Sequence, residues 1–218
     1  MKNEVVIVGS GGFGREILWL IHEINQKSHQ SGDLLNVKGF ISSASQSIIN
    51  DIPVLGDDQW AVENLPKNTR VVIAIGNPDL RRKLASFYQS HGFKSPNLIH
   101  PNAIIGPSVQ LGEGNLICAG AVLTTDITLG DYVIINLNAT VGHDTVIGDF
   151  TTISPGANIS GEAKIESDCE IGSGAVLLPG VHLEKEVILG AGAVATRNLS
   201  QSTTYIGIPA RPMFGKLS

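Results

Sequence analysis

The sequence predicts two parts: a small α/β domain with a parallel sheet over residues 1–96, and a left-handed parallel β-helix over residues 97–218. A six-residue aliphatic repeat predicts the β-helix, and short β-branched runs alternating with helical stretches predict the α/β domain. The chain has 218 residues, of which 42% are hydrophobic, so it is long enough to bury two modest cores.

The first part opens with the β-branched run Val5–Val8, which predicts a strand. A glycine-rich turn follows, and helical character begins at Arg15. A strand, glycine-rich turn and helix N-terminus in this order present backbone N–H groups to a phosphate. The turn contains Gly9, Gly11, Gly12 and Gly14. An alternative stays open, in which these glycines serve only tight turning and strand-to-helix packing.

Two further strands are predicted in this part, at 37–41 and 70–75. The first ends in Ser42 and Ser43, where a dinucleotide-binding domain would carry an acidic residue, so dinucleotide binding is disfavoured. After the second, Asn77 or Asp79 is expected to cap a helix over 80–91, with Gly92 as its stop. The alternation predicts a Rossmann-like parallel sheet.

The second part carries the repeat: every sixth residue from Ile99 to Leu189 is Ile, Leu or Val. Neither a strand nor a helix has this period, so the chain is expected to coil, with three hexapeptides making each triangular turn of about 18 residues. The aliphatic residues, and the small residues two positions before them, are predicted to face inward. Glycine often follows the aliphatic residue, and we expect it to turn the corner with unusual backbone angles.

Composition excludes several function classes. The formal net charge of −5 offers no basic surface for nucleic acid. No stretch approaches the roughly 18 to 20 apolar residues of a membrane span, and the N-terminus leads into a strand instead of a signal peptide, so a cytoplasmic enzyme is expected. Cys118 and Cys169 lack metal-ligand or redox spacing and are predicted to be small residues of the core or of a β-helix face.

The best catalytic candidate is the pair His143 and Asp144, which follows a predicted corner and lies outside the inward series. A neutral imidazole can accept a proton near pH 7, and an adjacent carboxylate can orient it. The alternative is an ordinary exposed corner histidine. A zinc site needs converging imidazoles, and His100, His143 and His182 are each isolated, so no metal is expected.

Several motifs together resemble one family. They are the opening 5–16, the segment 74–77 with Arg81, the segments 98–101, 141–144 and 146–148, Asn136, and the tail 207–211. The chain resembles PglD/NeuD-type sugar acyltransferases, which are hexapeptide-repeat enzymes that use acetyl-CoA. The resemblance implies a homotrimer with active sites between subunits, a nucleotide-linked amino sugar held by the N-terminal domain, and acetyl-CoA along the β-helix.

The same resemblance assigns roles to residues. His143 would be the general base, Asp144 would orient it, and the N–H of Gly161 would receive the acetyl carbonyl oxygen. The residues implied for the cofactor are Gly172, Ser173, Gly190, Ala191, Pro209, Ala210 and Arg211. The residues implied for the sugar nucleotide are Gly9, Gly11, Gly12, Gly14, Ser42, Ser43, Asn77, Asn136 and Thr152.

Two positions depart from the family pattern. Ser42 and Ser43 replace the acidic residues of uridine-using relatives, and Thr152 replaces a second histidine. The expected function is N-acetylation of a nucleotide-linked 4-amino-4,6-dideoxy sugar for surface glycan synthesis. One alternative is O-acetylation of sialic acid or a related sugar. Another is a non-catalytic scaffold whose N-terminal domain senses a nucleotide.

Overall fold

A computed structural model describes residues 3–28, 34–44, 47–200 and 202–213, and the chain divides into two compact units, Met1–Pro101 and Asn102–Ser218. The first unit is α/β and the second is a parallel β-helix. Among the described residues, no helix combines the length and the apolar character needed to cross a bilayer.

The strands of the first unit are β1 Asn3–Val8, β2 Leu35–Ile41, β3 Ile48–Ile49, β4 Ile52–Gly56 and β5 Arg70–Ile73, followed by the short β6 Leu98–Ile99. Its helices are α1 Gly12–Ser28, α2 Asp58–Asn64 and α3 Pro78–Ser90. Strands β1 to β5 form one sheet in the order β3-β4-β2-β1-β5, in which β1 lies between β2 and β5 and is parallel to both. The strand order reverses at β1, which is where ligands bind in doubly wound sheets.

Two predicted elements of this unit are confirmed by their local chemistry. The side chains of Val5 to Val8 are at most 3% exposed, as expected for a central strand covered on both faces. The Asn77 side chain caps α3 by accepting the Leu80 N–H at 2.9 Å. Gly92, with φ of +81°, follows the helix and ends it.

Other boundaries differ from the prediction. Helix α1 begins three residues before Arg15, at Gly12, and the strand predicted to reach residue 75 ends at Ile73. The elements β3, β4 and α2 were not predicted. Asp57 caps α2 by accepting the Trp60 N–H at 2.8 Å. Residue 56 must be glycine because an added Cβ would overlap the Trp60 side chain.

The second unit winds through three sheets, which we call faces A, B and C. Face A contains Ile104–Ile105, Val122–Leu123, Thr140–Val141, Asn158–Ile159, Val176–Leu177 and Val194–Ala195. Face B contains Gln110–Leu111, Thr128–Leu129, Val146–Ile147, Lys164–Ile165 and His182–Leu183. Face C contains Leu116–Ile117, Ile134–Ile135, Thr152–Ile153, Glu170–Ile171, Ile188–Leu189, Thr204–Ile206 and Arg211–Pro212.

The strand pairing confirms a coil of 18 residues. Thr140 lies beside Val122 on one side and Asn158 on the other, so neighbouring coils are 18 residues apart. The repeat residues from Ile117 to Leu189 are at most 2% exposed. The small residues two positions earlier, such as Ala139, are buried as well, so the predicted inward series is confirmed from Ile117 onward. The first three members of the series are only half-buried: Ile99, Ile105 and Leu111.

The role predicted for the glycines after the repeat residues is wrong. The left-handed backbone angles fall two residues later, at positions such as Asp144 with φ of +58°, and Gly142, Gly148 and Gly172 are not in that region. An added Cβ on Gly142 would lie 2.5 Å from the Gly161 nitrogen. Glycine is needed at this position because the next coil passes directly over it.

Candidate active site

The corner between faces A and B carries His143 and Asp144. Strand Thr140–Val141 ends just before them, and their backbone is held between neighbouring coils. The Asp144 N–H donates to the Thr125 carbonyl at 3.2 Å, and the His143 carbonyl accepts the Glu162 N–H at 2.8 Å. The hydrogen bonds to both neighbouring coils fix the place from which these two side chains leave the corner.

The two side chains form a pair at the surface. Nδ1 of His143 lies 2.8 Å from Oδ2 of Asp144, and the side chains are 57% and 61% exposed. An ionised carboxylate can only accept a hydrogen bond, which assigns the proton of a neutral imidazole to Nδ1. Nε2 then carries the lone pair, and it points away from the carboxylate.

The imidazole packs against the next coil at Gly161. A Cβ built on Gly161 would lie 2.6 Å from Nε2 and 2.7 Å from Cε1 of His143, so only glycine leaves room for the ring. The Gly161 carbonyl accepts the Gly180 N–H at 3.0 Å, whereas no described residue accepts a hydrogen bond from the Gly161 N–H. A proton acceptor and an N–H donor therefore lie side by side on two stacked coils.

The corner between faces C and A gathers four of the residues expected to hold a cofactor. Gly172 and Ser173 lie one coil before Gly190 and Ala191, and the Gly192 N–H donates to the Ser173 carbonyl at 2.9 Å. A Cβ on Gly172 would lie 2.5 Å from the Ala191 nitrogen. Ser173 and Ala191 are exposed, so this edge presents only small groups to solvent.

The C-terminal tail returns to the same end of the β-helix. Ala210 is buried and its N–H donates to the Val194 carbonyl at 2.8 Å. Pro209 and Arg211 on either side are exposed, and Nη1 of Arg211 donates to the Ala210 carbonyl at 3.0 Å. The guanidinium keeps further donors, which suit a phosphate.

Two expected substrate residues lie elsewhere on the β-helix. Asn136 is half-buried at a corner after face C, and its Oδ1 accepts the Leu137 N–H at 2.7 Å. Thr152 is an outward residue of face C and is only 8% exposed. The structure does not bring Thr152 to the corner that carries His143, because the two residues belong to different faces.

In the first unit, the glycines of the first turn divide into two kinds. A Cβ on Gly14 would overlap the Gly9 carbonyl oxygen, and Gly9, with φ of +100°, packs against Ile75. These two glycines are required for turning and for strand-to-helix packing. Gly11 and Gly12 have nothing within 4 Å of an added Cβ, so they are the ones that leave space for a ligand.

The other expected substrate residues of this unit follow neighbouring strands at the same edge of the sheet. Ser42 is half-buried after β2, Ser43 beside it is exposed, and Asn77 is exposed at the start of α3. The carboxyl ends of the parallel strands β1, β2 and β5 therefore carry the glycine turn, the two serines and the helix cap together.

Sequence reasoning missed two contacts at this edge. The Ser10 hydroxyl lies 2.9 Å from the Ser42 hydroxyl, and Arg81, only 1% exposed, donates from Nη1 to the carbonyls of Ile75 and Gly76 at 2.7 and 2.6 Å. Arg81 is the first of three consecutive basic residues in the first turns of α3, and the sequence does not show that this one is buried. The contact of Ser10 with Ser42 can be recognised only once β1 is known to pair with β2.

Comparison with known proteins supports the interpretation of both units. Residues 4–87 match the family model of the PglD N-terminal domain, and residues 162–197 match the hexapeptide repeat of succinyl-transferase. A search of curated protein sequences gives no significant match.

Solved structures match over nearly the whole chain. The acetyltransferase domain of PglB from Neisseria gonorrhoeae is 33% identical, with a TM-score of 0.89, over 97% of this chain and 100% of that domain. PerB from Caulobacter crescentus, in complex with CoA and GDP-perosamine, is 32% identical with a TM-score of 0.85, over 97% of each chain. WeeI from Acinetobacter baumannii is 32% identical with a TM-score of 0.86, over 96% of this chain and 99% of that one.

The chain belongs to the PglD/NeuD-type sugar acyltransferase family. The resemblance drawn from the motifs is thus confirmed, and the chain is an enzyme. A non-catalytic scaffold is no longer a candidate for this acyltransferase.

Both cysteines and His100 lie in the interior of the acyltransferase. Both cysteines are buried and free, and burial raises the pKa of the Cys169 thiol to about 12. His100 is 2% exposed beside the Trp19 ring, and burial lowers its pKa. Within the described ranges, no group of three or more His, Cys, Asp or Glu side chains is placed to hold a metal ion.

Proposed function

We propose that this acyltransferase moves the acetyl group of acetyl-CoA to the amine of a nucleotide-linked 4-amino-4,6-dideoxy sugar, in the synthesis of surface glycans. The observation that carries the proposal is the His143 imidazole held between the Asp144 carboxylate and the Gly161 Cα. Two relatives support the substrate classes: the PglB domain in complex with acetyl coenzyme A, and PerB in complex with CoA and GDP-perosamine.

In this proposal, His143 is the general base. Its Nε2 accepts a proton from the sugar amine as that nitrogen attacks the acetyl carbonyl carbon. Asp144 keeps the other ring proton on Nδ1 and stabilises the imidazolium that forms. The Gly161 N–H donates to the acetyl carbonyl oxygen, where negative charge develops. The bond between the acetyl carbon and the CoA sulfur then breaks, and the imidazolium returns its proton to the departing thiolate, so the products are the amide and free CoA.

A direct transfer fits the burial of the two thiols. A covalent acyl-enzyme needs an activated thiol or hydroxyl beside a base. Cys118 and Cys169 are buried, and the raised pKa of the Cys169 thiol keeps it protonated. The amine of the sugar is therefore the attacking group in the proposed reaction.

The residues at the corner between faces C and A fit a CoA molecule. Acetyl-CoA supplies an acetyl group activated as a thioester. Gly172 and Gly190 allow the coils to stack closely, and Ser173 and Ala191 are small and exposed, so a narrow chain can lie close to the backbone. Arg211 offers an exposed planar fork of donors to its phosphates.

We further propose that the working unit is a homotrimer whose sites lie between copies. Face A separates the His143 corner from the Gly172 corner within one chain, and its outward side chains are largely apolar. These outward residues are Ile104, Val122, Thr140, Asn158, Val176 and Val194. A neighbouring copy against this face would bring its own cofactor corner towards His143.

Subunit complementation tests this shared site. His143→Ala removes the base and Ser173→Trp obstructs the cofactor corner, so each variant alone should be inactive. After co-refolding in equal amounts, about a quarter of the sites would combine an intact base with an intact cofactor corner. Recovery of about that fraction of wild-type activity supports the proposal, and no recovery contradicts a shared site.

The acceptor is tested with a panel. The protein is incubated with acetyl-CoA and UDP-, dTDP- and GDP-linked 4-amino-4,6-dideoxy sugars, beside free sialic acids. We expect a nucleotide-linked product whose acetyl group survives mild base, as an amide does and an ester does not. A base-labile product on a sialic acid would instead establish the O-acetyltransferase alternative.

The base is tested in the same assay. In two solved PerB structures, one histidine is replaced by asparagine or by alanine, and both contain CoA and GDP-perosamine. We therefore expect the His143→Asn variant of this chain to lose turnover while it retains binding of both substrates. Loss of binding with unchanged turnover would contradict the assignment.

A further inference from the structure

The carboxyl ends of β1 and β2 are joined by a pair of hydroxyl groups. The Oγ atoms of Ser10 and Ser42 lie 2.9 Å apart, and Ser42 Oγ also accepts the Ala44 N–H at 3.1 Å. The Ser42 N–H donates to the Gly56 carbonyl at 2.8 Å, which ties the start of this loop to β4. Both serines are half-buried, so the pair is a built feature of this edge.

A proton count shows what the pair can offer to a ligand. Two hydroxyls carry two protons, and one is used in the bond between them, whichever serine donates it. The Ala44 N–H occupies one of the acceptor sites on Ser42. Among the described residues no other group accepts from the pair, so one O–H donor is left for an external group, and the pair is neutral.

The pair offers a neutral O–H donor, whereas a carboxylate at the same place would carry a negative charge and could only accept hydrogen bonds. In doubly wound domains, an acidic residue after the second strand accepts a hydrogen bond from a ribose hydroxyl. Such a charge-assisted bond is about twice as strong as a bond between neutral groups. After the neighbouring strand β4, Asp57 accepts the Trp60 N–H and Asp58 accepts the Tyr88 hydroxyl, so one oxygen of each carboxylate is already used.

We infer that the Ser10–Ser42 pair donates to an acceptor atom of the sugar nucleotide and does not select for the ribose 2′-hydroxyl. The enzyme then accepts sugars linked to ribonucleotides and to 2′-deoxyribonucleotides almost equally. This inference rests on the proposed function, because it concerns the nucleotide of the same substrate. The pair also adds no negative charge near the open Gly11 and Gly12, where a diphosphate would approach.

The test uses nucleotide pairs that differ only in the 2′-hydroxyl. Dissociation constants of UDP, dUDP, GDP and dGDP are measured calorimetrically with the full-length protein. For the wild type, we expect the ribo and deoxyribo members of each pair to agree within about threefold. In Ser42→Asp, the new carboxylate should favour the ribo member by about tenfold or more, while Ser10→Ala should weaken both members alike.

Two variants and one assay separate the outcomes. A tenfold ribose preference in the wild type, with product formed in the acceptor panel, would overturn the inference while leaving the proposed function intact. Asp57→Ser keeps the α2 cap, so a ribose preference that disappears in this variant would assign recognition to Asp57 and overturn the inference as well. If none of the four nucleotides binds the wild type, the proposed nucleotide-linked substrate fails together with the inference.

Discussion

The β-helix carries two histidine–carboxylate pairs, and they differ in which ring nitrogen is occupied. His143 uses Nδ1 to reach its neighbour Asp144 at 2.8 Å, which leaves Nε2 over Gly161 on the next coil. His182 uses Nε2 instead, which lies 3.1 Å from Oε1 of Glu166 on the preceding coil at face B. Both pairs are well exposed, so exposure does not distinguish them.

The second pair has the features of a brace between coils. Glu166 also accepts the Lys185 N–H at 3.1 Å, and the His182 N–H donates to the Asn198 side chain at 2.9 Å. No glycine of the next coil lies under the His182 ring among the contacts described. The comparison teaches that a histidine–carboxylate pair becomes a candidate base only where its second nitrogen faces a place for substrate beside a donor.

The largest effect is expected in the comparison of kcat between variants of the two histidines. His143→Asn removes the proton acceptor, so kcat should fall about 10²-fold or more while both KM values stay near wild type. The matched change His182→Asn should alter kcat by less than about twofold. Steady-state kinetics with both substrates checks this, and equal losses in the two variants would abolish the distinction drawn above.

The next test displaces the imidazole without removing it. Gly161 is not in the left-handed region, so Gly161→Ala should fold normally, but its Cβ would occupy the place of the ring, which lies 2.6 Å away at Nε2. We expect kcat to fall about tenfold to a hundredfold. In the His143→Asn background, the same change should add little, because the two effects act through one group. Additive losses would show that Gly161 acts independently of His143.

A smaller effect is expected from the orienting carboxylate. Asp144→Asn keeps a residue that tolerates the left-handed backbone but cannot stabilise an imidazolium, so kcat should fall about tenfold. The control is Asp126→Asn, one coil earlier at the same corner, where φ is +55°. Turnover measurements on the two variants, checked by circular dichroism, decide the matter, and equal effects would argue for a purely structural role of Asp144.

The smallest effect concerns the brace. Glu166→Gln weakens an exposed hydrogen-bonded pair, and even exposed ion pairs contribute only about 1 kcal/mol or less to the free energy of unfolding. We therefore expect a drop in melting temperature of only a few degrees and unchanged kcat. A marked loss of activity in this variant would give the second pair a catalytic importance that its geometry does not suggest.

Much of the fold was predictable because the β-helix repeats its inward positions every six residues. The strands β3 and β4 and helix α2 were missed because the segment around Ile52–Gly56 is short, contains Pro53 and is only half-buried. The contact between the His143 and Asp144 side chains could be predicted because the two residues are neighbours in the sequence. The Ser10–Ser42 contact could not, since it joins residues 32 apart through the pairing of β1 with β2.

Each coil paired up to Val194–Ala195 has 18 residues, which makes this part of the β-helix a molecular ruler; only the last coil is shorter, since Ile188 pairs with Thr204. Neighbouring coils are separated by the strand spacing of about 4.8 Å, so the height between the His143 corner and the cofactor corner changes only in steps of that size. Insertion or deletion of a whole 18-residue coil would change the length of the β-helix without changing which later side chains face outward. A single-codon insertion within a strand would instead rotate every later outward side chain to a wrong position.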